Sequence, residues 1–94
     1  MLEGAHITEI GENSWMMPSF VDTHIHAPQY LNAGTALDKP LMEWLEHYTF
    51  SSEARIDADP EGLGRRVYEK LVERMIESGT TLASVFGTLT VEAK

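Results

Sequence analysis

From Trp15 to Ile25 most positions are apolar or β-branched, and Pro18 suits a strand start or edge, where a missing N–H is tolerated. The pattern predicts a first strand over Phe20 to His26. Pro28, Asn32, Gly34 and Asp38 then supply turn and cap residues, leading into Pro40, whose fixed φ suits the first turn of a helix. Leu41, Leu45 and Tyr48 stand at helical spacing with Trp44 beside them, which predicts a short helix of two or three turns with its aromatic face inward.

The strongest element opens at Asp59 and Pro60, an N-cap and first-turn pair, and stops at Gly79, where a left-handed residue is expected. Leu63, Val67, Leu71 and Met75 recur every four residues, and Tyr68, Val72 and Ile76 repeat the spacing one step on. Together they make a broad apolar stripe. Gly62 and Gly64 weaken its first turn by roughly 1 kcal/mol each relative to Ala, so fraying is expected there. Thr80 to Phe86, β-branched and aromatic directly after the stop, reads as a second strand. Strand, helices and strand in that order imply a parallel pair with a right-handed crossover, one α/β unit without internal repeats.

Length adds that the core is modest and that no large closed architecture fits in 94 residues. A 43% hydrophobic content, with aromatic residues spread along the chain, argues against wholesale disorder. The net charge of -8 repels phosphate backbones and anionic lipid, which makes nucleic acid and membrane surfaces poor partners. No apolar run approaches bilayer length, and the first eleven residues lack the basic start and apolar stretch of a signal peptide; a soluble, cytoplasmic location is expected. Without cysteine, any metal must be held by His, Asp or Glu.

In an extended strand Phe20, Asp22, His24 and His26 share one face, while Val21, Thr23 and Ile25 share the other and offer a surface for helices. Two imidazoles at i and i+2 near the carboxyl end of a parallel strand can reach one divalent cation, at the end where α/β sheets and barrels keep their sites. A catalytic zinc needs about three protein ligands and an open position for water; this segment supplies two, His24 and His26. Asp22 is given a role in supporting the ligating histidines or in anchoring the strand, rather than a bond to the metal. A His-x-His taken alone is a short motif that many strands and loops carry.

The run Pro18-Ser19-Phe20-Val21-Asp22-Thr23-His24-Ile25-His26 resembles the first-strand motif of the amidohydrolase superfamily, Pro-Gly-hydrophobic-hydrophobic-Asp-x-His-x-His. The continuation Ala27-Pro28-Gln29-Tyr30, with Ala33-Gly34, Pro40-Leu41, Glu43-Trp44-Leu45 and Tyr48-Thr49-Phe50, is similar to its guanine deaminase branch. The resemblance runs from about Gly11 to Thr88. It implies a (β/α)8 barrel with a small β-sandwich built from both chain ends, so that residues 1–17 would close the sandwich segment and residues 18–94 would be the first βαβ portion of the barrel. It also implies zinc held by His24 and His26, and a purine site formed by His26, Ala27, Pro28 and Gln29, with the Gln29 carboxamide on the guanine edge. The implied reaction is hydrolytic deamination of guanine to xanthine and ammonia. A homodimer is one assembly open to the parent enzyme. Ser19 stands where the family has glycine, and would be strained if that position required φ > 0. The family's remaining zinc ligands and proton-shuttling glutamate lie on later strands, and a barrel needs roughly 250 residues, so this chain is expected to be an inactive opening segment.

Two other functions compete: a non-catalytic interaction module derived from the same fold, and another amidohydrolase acting on a related heterocycle. Guanine turnover separates the first, and Gln29 with Glu43-Trp44-Leu45 argues against the second. The remaining features read as structural. Gly62-Leu63-Gly64-Arg65-Arg66-Val67 lacks both the preceding strand and the last glycine of a dinucleotide fingerprint. Glu43 and His47 read as a solvated i, i+4 pair, Trp44, Tyr48 and Phe50 as core, and the charges from Glu69 to Glu77 as a solvated helix face.

Overall fold

A computed structural model describes residues 4–90. The chain passes through β1 (Phe20–His26), a 3-10 helix (Ala27–Asn32), α1 (Leu41–Trp44), a π-helical turn (Leu45–Thr49), α2 (Phe50–Ala58), a second π-helical turn (Pro60–Gly64), α3 (Arg65–Glu77) and β2 (Thr80–Phe86). Both strands have the bounds that the residue pattern predicts. They pair in parallel as one two-stranded sheet, with Ile25 opposite Val85 and His26 opposite Phe86. The unit is therefore α/β.

Local chemistry accounts for the punctuation. The Asp59 carboxylate accepts hydrogen bonds from the backbone N–H groups of Gly62 (3.1 Å) and Leu63 (2.8 Å), capping the turn that leads into α3. The fraying expected there is opposed by this cap and by packing, since Gly64 is buried and a Cβ added to it would meet the Ile56 Cγ2 at 3.4 Å. Gly79, at φ +81°, ends α3 in the left-handed conformation and donates its N–H to Ile76. Its own carbonyl accepts from Phe20, so the helix stop is tied directly to the start of β1.

The helix expected after Pro40 is corrected in length and in facing, for Phe50, expected as core, is exposed. The short helix predicted after Pro40 continues without a break through the π-helical turn and α2 to Ala58. Within α2 only Ser52 and Ile56 are buried, too few apolar positions to show a period in the sequence. Ile56 is nevertheless fully buried and meets Val67 of α3, with Tyr30, Leu63 and Tyr68 packed around the pair. The same core seats the 3-10 helix, whose Ala27, Pro28 and Asn32 are buried.

The polar side of α3 behaves as expected, with exposed ion pairs Arg65–Glu69, Lys70–Glu73 and Arg74–Glu77. Beyond the small core, packing is sparse. The radius of gyration is 18.6 Å, against about 12 Å for a compact domain of this length. Val21, expected to face a helix, is exposed. Residues 4–19 carry neither helix nor strand, and the sandwich segment expected over residues 1–17 begins outside the described residues. No helix of the described residues is long and apolar enough to cross a membrane.

Candidate metal centre

His24 and His26 lie at the carboxyl end of β1, and alternation along the strand brings their rings together. The two Nε2 atoms are 2.9 Å apart and the ring centroids 5.0 Å. One Nε2 must donate and the other accept at this separation. A zinc with bonds of about 2.0–2.1 Å and tetrahedral angles sets two ligand nitrogens roughly 3.3 Å apart. An opening of a few tenths of an ångström converts the observed pair into two ligands of one ion, so the donor pair fits a metal in part. Among the described residues no third His, Asp or Glu joins them.

Asp22 performs the anchoring expected of it. Its Oδ1 accepts from the backbone N–H of His24 at 3.0 Å, inside a register shift between Asp22 and Ile25. The irregularity interrupts the strict alternation used to place Asp22 in line with the histidines. Ser19 is likewise accommodated: its φ is not positive, and its hydroxyl bonds that of Thr81 on the neighbouring strand.

An open cleft of about 400 Å³ adjoins the pair, within the roughly 300–1,000 Å³ range of small-molecule sites. His24, His26 and Gln29 line it together, with Tyr30, Leu37 and Trp44 as its apolar wall. Ala27 and Pro28 do not: both are buried in the core, where they brace the 3-10 helix that carries Gln29. Trp44, expected as core, is half-buried, borders this cleft, and donates its indole N–H to the carbonyl of Thr35 at 2.7 Å, which fixes the far wall. The loop residues Ala33 and Gly34 complete the rim. His47 takes no part. Its Nδ1 donates to the Glu43 carbonyl at 2.8 Å, and the Glu43 carboxylate pairs with Lys39 instead, so the expected side-chain pair is replaced. His6 is exposed and makes no contribution to the cleft.

Sequence reasoning missed Phe86. Its ring lies 4.6 Å from that of His24 and 4.8 Å from that of His26, stacked on the latter at 14°. The signal available in the sequence was its place at the carboxyl end of the second strand, but the register that sets it opposite His26 comes from the fold.

A family model described as the amidohydrolase family matches residues 15–93. The "Probable guanine deaminase" of Schizosaccharomyces pombe is 48% identical over 89 residues, covering 95% of this chain and 16% of that protein. The guanine deaminase of Mus musculus is 46% identical over 83 residues, 88% of this chain and 18% of that protein. A 5-methylthioadenosine/S-adenosylhomocysteine deaminase of Syntrophomonas wolfei subsp. wolfei is 43% identical over 76 residues, 81% of this chain and 17% of that protein. The chain thus spans about a sixth of the length of the curated relatives it matches.

Proposed function

The chain belongs to the amidohydrolase family, and on that premise we propose that it supplies the first metal-binding and purine-binding segment of a zinc-dependent enzyme that deaminates guanine to xanthine and ammonia. The observation that carries the reading is the convergence of His24 and His26, at 2.9 Å, on the cleft that Gln29 also lines. In this reading β1 and β2 are neighbouring strands of a (β/α)8 barrel, residues 18–94 its first βαβ portion, and residues 1–17 part of a β-sandwich. Zinc, when bound, would supply the Lewis acidity that makes a water nucleophilic at neutral pH.

The chain's own residues have separate tasks. His24 and His26 would each present an Nε2 lone pair to the metal once the proton between them is displaced, from a strand whose backbone Asp22 pins at the His24 N–H. Gln29 presents both a donor and an acceptor, as a purine edge requires, from a 3-10 helix held by buried Ala27 and Pro28. His26 borders the same space, so the purine would lie against the metal side of the cleft. Tyr30 and Trp44 give it flat apolar walls on that flank. No group among the described residues is placed to pass a proton to the leaving amine, so in this reading that acid belongs to other strands of the barrel.

The relative that acts on methylthioadenosine and S-adenosylhomocysteine favours a second reading, in which the same cleft takes a larger purine compound. Gln29 and the segment Glu43-Trp44-Leu45 argue for guanine. The metal half of the proposal is tested by zinc titration of the chain. We expect one weak zinc per chain, lost in His24→Ala and in His26→Ala with circular dichroism unchanged; equal zinc uptake by the wild type and both variants refutes it.

A further inference from the structure

We propose that Phe86 is a positioning residue for the two candidate metal ligands, acting through ring contacts rather than as part of the core. The proposal rests on the metal reading of His24 and His26. Three observations point to it. Phe86 is the register partner of His26, so its position is set by the parallel pairing rather than by side-chain flexibility alone. One phenyl ring touches both imidazoles, at centroid distances of 4.6 and 4.8 Å, and lies nearly parallel to that of His26. Phe86 is also 47% exposed, so it is only partly buried among apolar neighbours.

The physical effect follows from rotamer freedom. An imidazole on an exposed strand end turns about its terminal torsion, which is broad and roughly two-fold, and each ring must be fixed before both nitrogens can face one ion. An aromatic ring stacked on His26 and in tilted contact with His24 restricts that torsion in advance and leaves the two Nε2 atoms turned toward each other at 2.9 Å. Groups that orient metal-bound histidines typically alter metal affinity by about 10–100-fold when removed. Phe86 offers contact but no hydrogen bond, so its removal belongs at the low end, about tenfold.

The test uses the 94-residue chain, zinc alone as the probe, and two substitutions. Phe86→Leu keeps an apolar side chain and removes the π face, whereas Phe86→Tyr keeps the ring. We expect zinc affinity, measured by competition with a chromophoric chelator, to fall about tenfold in Phe86→Leu and to stay at the wild-type value in Phe86→Tyr. Side-chain relaxation by NMR in the metal-free chain should show faster ring motion of His24 and His26 in Phe86→Leu only, with the thermal unfolding midpoint unchanged, a split that a purely structural role would not give. If Phe86→Leu loses its folded circular dichroism signal, Phe86→Met replaces it under the same expectations. Wild-type zinc affinity with unaltered ring motion in the leucine or methionine variant overturns this proposal alone. A wild type that binds zinc no better than the chain carrying both His24→Ala and His26→Ala overturns the metal reading, and this inference with it.

Discussion

Replacing Gly62 by alanine tests how the α3 cap is built, and the structure makes the outcome depend on Asp59. Alanine is favoured over glycine in a helix by about 1 kcal/mol, so propensity alone predicts stabilisation. At Gly62, however, a Cβ would fall 2.4 and 2.5 Å from the two carboxylate oxygens of Asp59 and 2.8 Å from its Cγ. No such contact is tolerated, and the carboxylate must swing away, releasing the N–H groups of Gly62 and Leu63. Losing an N-cap costs about 0.5–2 kcal/mol, typically near 1, so Gly62→Ala should be neutral to destabilising by about 1 kcal/mol. With Asp59→Ala already in place the clash is gone, and the same glycine change should stabilise by the full ~1 kcal/mol. The coupling in a double-mutant cycle, read from urea unfolding followed by far-UV circular dichroism, should therefore be about 1–2 kcal/mol. Effects that add to within about 0.3 kcal/mol would refute the argument that this glycine is required by the cap. The cap matters to the site because it sets the turn that presses Gly64 and Val67 onto Ile56, and that core holds the Gln29 helix.

In a full-length deaminase carrying this segment, Gln29→Ala should weaken guanine binding by about 1–3 kcal/mol, with zinc content unchanged, because a buried polar partner on the purine is left unsatisfied; unaltered KM and kcat would show that the carboxamide does not touch the purine. The segment after β2 is tethered to α2 at Asp57, whose carboxyl is held below the ordinary carboxylate value by the nearby buried hydroxyl of Thr88 and by that of Thr90, which donates at 2.6 Å. A depressed pKa favours the bonded, charged form, so the tether should be complete above the ordinary carboxylate range and be lost as pH falls through the lowered value. A carboxyl-carbon NMR titration of Asp57 should show that depression, and Thr90→Val should reduce it; an identical titration curve in the variant would contradict the assignment.

Much of this arrangement was legible before any coordinates. β-branched and aromatic runs bounded by Pro18 and Gly79 define both strands, because an extended chain and a left-handed stop leave strong local marks. The i, i+2 spacing of His24 and His26 was enough to place their rings on one side. What local pattern could not show was set by tertiary packing. α2 is held by one apolar residue, Ile56, and its polar neighbours carry no period. Ala27 and Pro28, adjacent in sequence to Gln29, turn into the core while Gln29 faces the cleft, a division that depends on the sharp 3-10 turn after β1. Phe86 joins the histidines only through the β1–β2 register, and the two register shifts in that pairing have no counterpart in the alternation of residue types.

The most direct measurement is guanine turnover by a chimaera: the guanine deaminase of Mus musculus in which the stretch it shares with this chain is replaced by the corresponding residues here. The account predicts zinc-dependent conversion of guanine to xanthine by the chimaera, its loss in the His24→Ala and His26→Ala versions, and no xanthine above the zinc-only control from the 94-residue chain alone. A folded chimaera that converts no guanine, or one that converts it equally well without both histidines, would contradict it.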